Sequence, residues 1–448
     1  MALLSAPSRA ATRDLARLAW PVVMARLGVM TMGLTDAIVV GNYASRELAF
    51  HSLAWAPTSV VLTTAVGLMM GVQVMAARML GEGRPQDVGA VLRRGIAFAL
   101  RIGFGSALLL ILLGPVGLRA AGLEPGLAEG ASPALIVFSL SLPFYLLSAT
   151  AQLFIEALGK PKMSMAAIWV ANVVNLGLNL LLVPDLMGLG VNGAVASAWA
   201  TFGARAALAA FLLIYILRLP EARALGIFTR PRPDPAAARE QLKIGAGAGS
   251  SYFIEVTAFA AMTLFAGRLG ANETAAWAVV LNVSAIVFMI PMGLSSATAV
   301  LVGRAYGGAD GRGVLRAGLI GVGMVAAVTL LIALLVWPGA ALVVGAYGRD
   351  PALLAIAVPA LILATLFFVA DGIQVVAAQA NRAAGDVWWP TIMHFTAYGA
   401  IMMPLGWWLA PRFGVDGLVW AVIVASLVSA TLLTGRFVRI ARRLAPTA

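Results

Sequence analysis

Residues 67–88 read GLMMGVQVMAARMLGEGRPQDV, and residues 293–314 read GLSSATAVLVGRAYGGADGRGV. At a shift of 226 residues Gly67-Leu68 falls on Gly293-Leu294, Arg78 on Arg304, Gly81 on Gly307 and Val88 on Val314, with no gap. The register extends back to Gly41 on Gly267 and Glu47 on Glu273, and forward to Gly159 on Gly385. Near the two ends, Gly190-Val191-Asn192-Gly193 matches Gly414-Val415-Asp416-Gly417 at a shift of 224. Two similar halves in a very apolar chain imply paired helical bundles of the kind that build transporters.

Composition fixes the solvent. The 448 residues are 61% hydrophobic and only 11% charged, where a soluble domain carries about 25% charge. No water-facing fold hides that much apolar surface, so the chain is expected in lipid. The 47 glycines and 22 prolines lie within apolar runs, as is common in membrane helices. A net charge of +12 does not point to nucleic acid, because the arginines mark span ends and no basic stripe carries interleaved aromatics. With no cysteine, disulfides, thiolate metal sites and cysteine nucleophiles are excluded. No cleavable signal is expected, since Arg9, Arg13 and Arg17 lead into a long apolar span without an A-x-A site before it.

Twelve apolar spans can be drawn, six in each half: 15–40, 50–77, 95–117, 132–157, 163–187, 192–217, 244–267, 275–303, 314–337, 352–381, 388–410 and 417–437. An even number per half sends both halves into the membrane in one direction. The expected organisation is an N-terminal six-helix bundle over 1–217, a linker over 218–243 with Pro220, Pro231, Pro233 and Pro235, and a C-terminal six-helix bundle over 244–448. With both termini on one side, that side gathers 23 Lys and Arg, including Arg230 and Arg232 of the linker; the other holds 5, among them Arg349; 3 lie inside spans. This asymmetry assigns both termini and the linker to the cytoplasm of an inner (plasma) membrane protein.

Four acids remain inside the spans: Asp36, Glu156, Glu255 and Asp371. A mid-bilayer charge costs at least about 2.5 kcal/mol, so it faces a cavity or a partner. Asp36, Glu255 and Asp371 come from the first, seventh and tenth spans and suggest carboxylates lining central cavities. Glu156, four residues before Lys160, reads as an i,i+4 ion pair near the interface. The span-interior arginines are Arg26, Arg101 and Arg205, the last two able to snorkel or to pair with an acid. In the fifth span Asn172, Asn175 and Asn179 share one face. They can bond neighbouring helices or, with Asp36 and a hydroxyl from Ser197 or Thr201, offer oxygens to a sodium ion or a proton-bearing network. Glu255 and Asp371, if close, would not both stay ionised without a cation, so they can exchange a proton, a sodium ion or an organic cation. Phe367, one turn before Asp371, either packs or offers an aromatic face to a cation. His51 has no evident ligand partner, and His394 is expected to be a hydrogen-bonded helix contact. No H-E-x-x-H, Walker A or G-x-S-x-G motif appears, so no catalytic residue is assigned and no enzyme is expected.

Taken together, the twelve spans, Pro21 fifteen residues before Asp36, Asn175-x-x-x-Asn179, the Gly-Val-x-Gly steps, Glu255 and Asp371 resemble the multidrug and toxic compound extrusion (MATE) family, its NorM-like branch in particular. The resemblance covers essentially the whole chain. It implies an all-α integral membrane fold of two pseudo-symmetric six-helix bundles in a V. A monomer is expected, since both bundles are already in one chain, and no cofactor is expected. It implies export of small organic cations, the cationic amphipathic drugs, in exchange for Na+ or H+ by alternating access. Asp36, Asn175, Asn179 and Ser197 are implied as an N-bundle cation site. Glu255 and Asp371 are implied as a C-bundle site, with Phe367 beside it. Two departures stand out: many members carry an acid where Asn179 stands, and a threonine is common where Ser197 stands. A lipid-linked precursor flippase of the same superfamily is the alternative. It would need arginines along its cavity for an anionic pyrophosphate head.

Overall fold

The computed structural model describes residues 6–120, 126–229, 234–348 and 350–445, with side chains from Arg9 onward. Arg230, Pro231, Arg232, Pro233 and Arg349 lie outside the described residues. The described chain is all-helical: α1 Ala6–Tyr43, α2 Ser45–Gly81, α3 Val88–Ala120, α4 Leu127–Leu140, α5 Leu142–Ala157, α6 Pro161–Leu182, α7 Gly193–Leu217, α8 Pro235–Gly267, α9 Ala271–Gly307, α10 Gly311–Gly345, α11 Pro351–Ala383, α12 Trp388–His394 and α13 Met403–Leu444. Helices keep every backbone bond within the segment, which is what a chain without hydrating water requires.

Eleven helical segments among the described residues are long and apolar enough to cross a membrane. The last, Trp388–Leu444, has 57 residues, about 85 Å of helix at 1.5 Å per residue. That is more than twice the roughly 30 Å hydrocarbon core. Its backbone breaks at Gly414 (φ 58, ψ −139), in the second Gly-Val-x-Gly step, and only glycine enters that region freely. Residues 395–402, between α12 and α13, run in wider π-type turns. The expected fourth span, 132–157, is bent at Ser141 where α4 ends, and Pro143 follows in the first turn of α5. The expected linker is partly helical: α8 starts at Pro235, and Asp234 Oδ1 accepts from Ala237 N at 2.9 Å, an N-terminal signature of acid then proline.

By compactness the chain forms two units, Leu27–Gly249 and Met1–Arg26 with Ser250–Ala448. In the first, Met69, Ala99, Leu146 and Leu153 form one core, and Ala54, Leu135, Phe138 and Ala198 another. Glycines bring backbones together, as in membrane bundles generally. A side chain at Gly71 would strike the Gln241 carbonyl, and one at Gly245 the Leu68 carbonyl. In the second unit a broad core holds Trp277, Leu361, Phe367, Phe368, Tyr398 and Leu418, while Gly293 lies on the backbone of Val23. The lipid face is plain on α3 and α10, where Phe104, Leu108, Leu112 and Leu331, Leu335 and Leu342 are exposed.

The repeat shows in one device. Glu47, in the first turn of α2, accepts from Ala194 N at 2.8 Å beside Gly193 (φ +57). Glu273, in the first turn of α9, accepts from Val415 N at 3.1 Å beside Gly414. Each carboxylate satisfies a backbone N–H that a helix start leaves without an intrahelical acceptor.

Candidate functional site

In the unit Leu27–Gly249 the buried carboxylate of Asp36 is ringed by neutral donors. Asn175 and Asn179 lie one turn apart on α6, and both amides reach Oδ1, at 3.0 and 2.8 Å. Thr201 on α7 donates to Oδ2 at 2.5 Å, and Asn175 Nδ2 also meets the Thr201 hydroxyl at 3.3 Å. Burial leaves a carboxylate no water to solvate it, and such charge-assisted bonds substitute for water. Asn172 instead donates to the backbone carbonyls of Gly28 and Ile168, both at 2.9 Å. The Ser197 hydroxyl is buried and has no hydrogen-bond partner among the described residues, so Thr201 is the hydroxyl that reaches Asp36.

The side-chain oxygens of Asn172, Asn175 and Asn179 likewise accept no hydrogen bond among the described residues. Three amide oxygens, two hydroxyls and one carboxylate are a hard-oxygen set of the kind that suits an alkali cation. The amide nitrogens now face Asp36, so coordination through the oxygens of Asn175 and Asn179 requires those side chains to turn.

In the other unit Asp371 on α11 accepts from Gln374 Nε2 at 3.2 Å and from the Tyr398 hydroxyl at 3.3 Å. Tyr398 comes from the wide π-type turns, a distortion often found at functional positions. Glu255 on α8 interacts with Gln374, Asp371 and Arg382. Gln374 thus bears on both acids. Phe367 is 3% exposed and packs edge-on to Phe368, ring centroids 5.3 Å apart, within the apolar core. Among the described residues no three His, Asp or Glu are gathered into a metal cluster.

Several expectations change. Glu156 does not pair with Lys160: it is buried and accepts from Gln73 Nε2 at 2.9 Å, while Lys160 reaches Glu221 at 2.7 Å. Proximity in sequence lost because α5 ends at Ala157 and the Gly159 turn (φ +82) points Lys160 toward Glu221. His394 is not hydrogen-bonded among the described residues; it stands edge-on to Tyr398, centroids 5.9 Å apart. His51 does the same to Phe138 at 5.3 Å. Arg101 is exposed, whereas Arg205 and Arg26 are buried. Gln374, Tyr398, Ser251 and Arg382 were not singled out from sequence. Gln374 carried a signal, three residues from Asp371 on one helical face. Tyr398 carried none, since its reach depends on the irregular turns.

A family model described as MatE matches the chain twice, over residues 21–181 and 248–408, the two copies set apart by nearly the spacing of the internal repeat. A probable multidrug resistance protein NorM of Caulobacter vibrioides is 54% identical over 426 residues, 95% of this chain and 90% of that one. Multidrug resistance protein PmpM of Pseudomonas aeruginosa is 29% identical over 447 residues, 97% of this chain and 93% of that one. The crystal structure of a MATE in complex with MaL6 shares the fold, with a TM-score of 0.90 at 17% identity over 98% of each chain. With two copies of one family model along it and a Caulobacter relative similar nearly end to end, this chain belongs to the MatE family of multi-pass membrane transporters and is not an enzyme.

Proposed function

We propose that this transporter exports cationic amphipathic compounds in exchange for Na+ or H+ by alternating access. One observation carries the reading: Asp36, Glu255 and Asp371 are buried in apolar helical segments, and the hydrogen-bond partners of Asp36 and Asp371 are neutral amides and hydroxyls. Buried carboxylates without a bonded basic partner favour a cation, whether an ion or an organic one. The multidrug names of the Caulobacter and Pseudomonas relatives support drugs as the substrates. Asp36, Asn175, Asn179, Thr201 and Ser197 are assigned to one cation site. Glu255 and Asp371 are assigned to the second, with Phe367 as its apolar backing.

In this cycle an inward-driven ion neutralises the carboxylates, their hold on the organic cation weakens, and the compound leaves outward. Coupling requires only that ion and compound compete for the same negative charge in states of different access. Pro21 in α1 removes a backbone donor and allows that helix to bend about four turns before Asp36. The proposed organisation is twelve spans in two bundles of six, 1–217 and 244–448. Trp388–Leu444 then supplies two spans that meet at Gly414. Both termini are assigned to the cytoplasm and the protein to the inner membrane, as a monomer.

The deciding experiment uses purified protein in vesicles, with dye efflux followed under an imposed Na+ gradient and then a pH gradient. Transport driven by one gradient and lost on its collapse is expected. Efflux indifferent to both gradients would refute exchange. Scrambling of a pyrophosphate-headed lipid without dye transport would favour the flippase.

A further inference from the structure

We propose that Arg205 and Arg382 are tethered counter-cations, each competing with the transported cation for the acid of its own unit, Asp36 or Glu255. The inference rests on the exporter reading and adds two positioning residues to it.

The two arginines are built alike. Arg205 on α7 is buried and donates through Nη1 to Ser141 Oγ at 2.7 Å. Its guanidinium lies 5.0 Å from the Tyr145 ring centre and 5.6 Å from that of Trp55. One turn before it on the same face, Thr201 donates to Asp36. Arg382 at the end of α11 is buried and donates through Nη2 to Ser251 Oγ. One turn after Ser251 on the same face of α8 stands Glu255. In both units, then, a serine holds a buried guanidinium: Arg205 stands one turn from the threonine bonded to Asp36, and the serine that holds Arg382 stands one turn from Glu255. Each arginine interacts electrostatically with that acid.

Packing alone does not explain the arrangement. A guanidinium withdrawn from water is costly, and an apolar side chain of similar volume fills such a place more cheaply. What the arginine adds is a positive charge at a fixed remove. Held by a hydroxyl, and in one case by aromatic faces, it offsets part of the carboxylate's charge when no cation is bound. The hydrogen bonds to the Asp36 oxygens come from Asn175, Asn179 and Thr201, neutral groups that an arriving ion can displace. The internal repeat supports the same view. At the shift of 226 residues, Ser141 and Tyr145 stand where the other half has Phe367 and Asp371. The two groups that hold Arg205 thus replace, in the first half, the second acid of the other and its neighbour.

The test titrates detergent-purified protein with tetraphenylphosphonium, a lipophilic cation, and records unfolding temperature alongside. An opposite charge acting on the acid at an effective dielectric near 20 predicts that Arg382→Gln and Arg205→Gln each tighten binding, on the order of tenfold. Arg382→Lys and Arg205→Lys, which keep the charge, are expected within about threefold of the parent. A folded glutamine variant with unchanged or weaker binding would overturn the proposal, because a purely structural arginine moves stability and not cation affinity. If a glutamine variant fails to fold, the pairs Glu255→Gln with Arg382→Gln and Asp36→Asn with Arg205→Gln decide it. Recovery of folding on removing both charges is expected, and failure to recover overturns the proposal. Glu255→Gln and Asp36→Asn alone separate the two readings: if neither weakens tetraphenylphosphonium binding the exporter reading itself fails, whereas weakening there without tightening by the arginine variants sinks only the counter-cation.

Discussion

Asp36→Asn isolates charge from shape. The amide that replaces the carboxylate has the same outline, and the neighbours dictate how it sits. Oδ1 faces two NH2 donors, from Asn175 and Asn179, so the new carbonyl oxygen must stay there. The new NH2 group then faces Thr201, whose hydroxyl can rotate and accept. Three hydrogen bonds to a charge, each about 1.5–3 kcal/mol, become neutral ones of about 0.5–1.5 kcal/mol. The loss of about 1 kcal/mol per bond is opposed by no longer burying a charge, so stability should change by less than about 3 kcal/mol. Cation binding responds differently. A unit charge about 4 Å from the carboxylate at an effective dielectric of 20 is held by about 4 kcal/mol, roughly a thousandfold in affinity at 1.4 kcal/mol per decade. The assay pairs tetraphenylphosphonium binding and ion-driven dye efflux from vesicles with thermal unfolding. A folded Asp36→Asn protein that keeps affinity within fivefold and keeps ion-driven efflux would refute the cation site.

Further outcomes follow from single contacts. Thr201→Val deletes a charge-assisted bond worth about 1.5–3 kcal/mol and should lower the unfolding temperature, whereas Ser197→Ala, at a hydroxyl that bonds nothing described, should leave it nearly unchanged; equal losses of stability would refute that difference. Gly71→Ala places a methyl against the Gln241 carbonyl, and an overpacked contact of this kind costs about 1–3 kcal/mol, read as a lower unfolding temperature; an unchanged one would show that α2 and α8 can separate freely. At the protein surface, the hydrogen bond from Lys160 holds the Glu221 carboxyl below its ordinary range. A depressed carboxyl contributes stability above its unfolded pKa and loses it as pH falls through the folded value. Lys160→Met should move the Glu221 titration, followed by NMR, upward toward the ordinary value, with no effect on transport.

The architecture was legible because lipid imposes simple rules. Ten of the expected spans reappear as separate apolar segments and two within Trp388–Leu444. Burial of the three acids was legible from the cost of charge in lipid, and the Asn175–Asn179 face from helical spacing. What sequence could not supply was the partner of each group. Ser197 and Thr201 are both on α7, four residues apart, and only the seating of that helix decides that Thr201 meets Asp36. Lys160 looked bound to Glu156 by spacing, yet a turn at Gly159 and a residue sixty positions on decided otherwise. Tyr398 reaches Asp371 through π-type turns that no periodicity encodes. Ser251 and Arg382 are 131 residues apart and meet only through packing.

The duplication preserved scaffolding and let chemistry diverge, which bears on the proposed exchange of two cations. Glu47 and Glu273 keep one job at equivalent places, each accepting from a helix start beside a positive-φ glycine. The acids keep no such symmetry. At a shift of 226 residues Asp36 falls on Met262, Glu255 on Val29 and Asp371 on Tyr145, while Glu156 falls on Arg382, an exchange of sign. Two identical sites would rank an ion and a larger compound alike. Unlike sites can discriminate between them. One holds a single carboxylate among amides and hydroxyls, whose compact oxygen set suits a small ion. The other holds two carboxylates beside an aromatic core, a better match to a larger organic cation. On that argument the amide oxygens favour the ion, whereas the carboxylates are open to ion and compound alike. Asn175→Ala should therefore change the ion concentration needed for half-maximal efflux more than it changes tetraphenylphosphonium affinity. Tyr398→Phe, which leaves Asp371 with one donor fewer, should move both quantities. Equal shifts of both in Asn175→Ala would refute an ion-selective role for that amide.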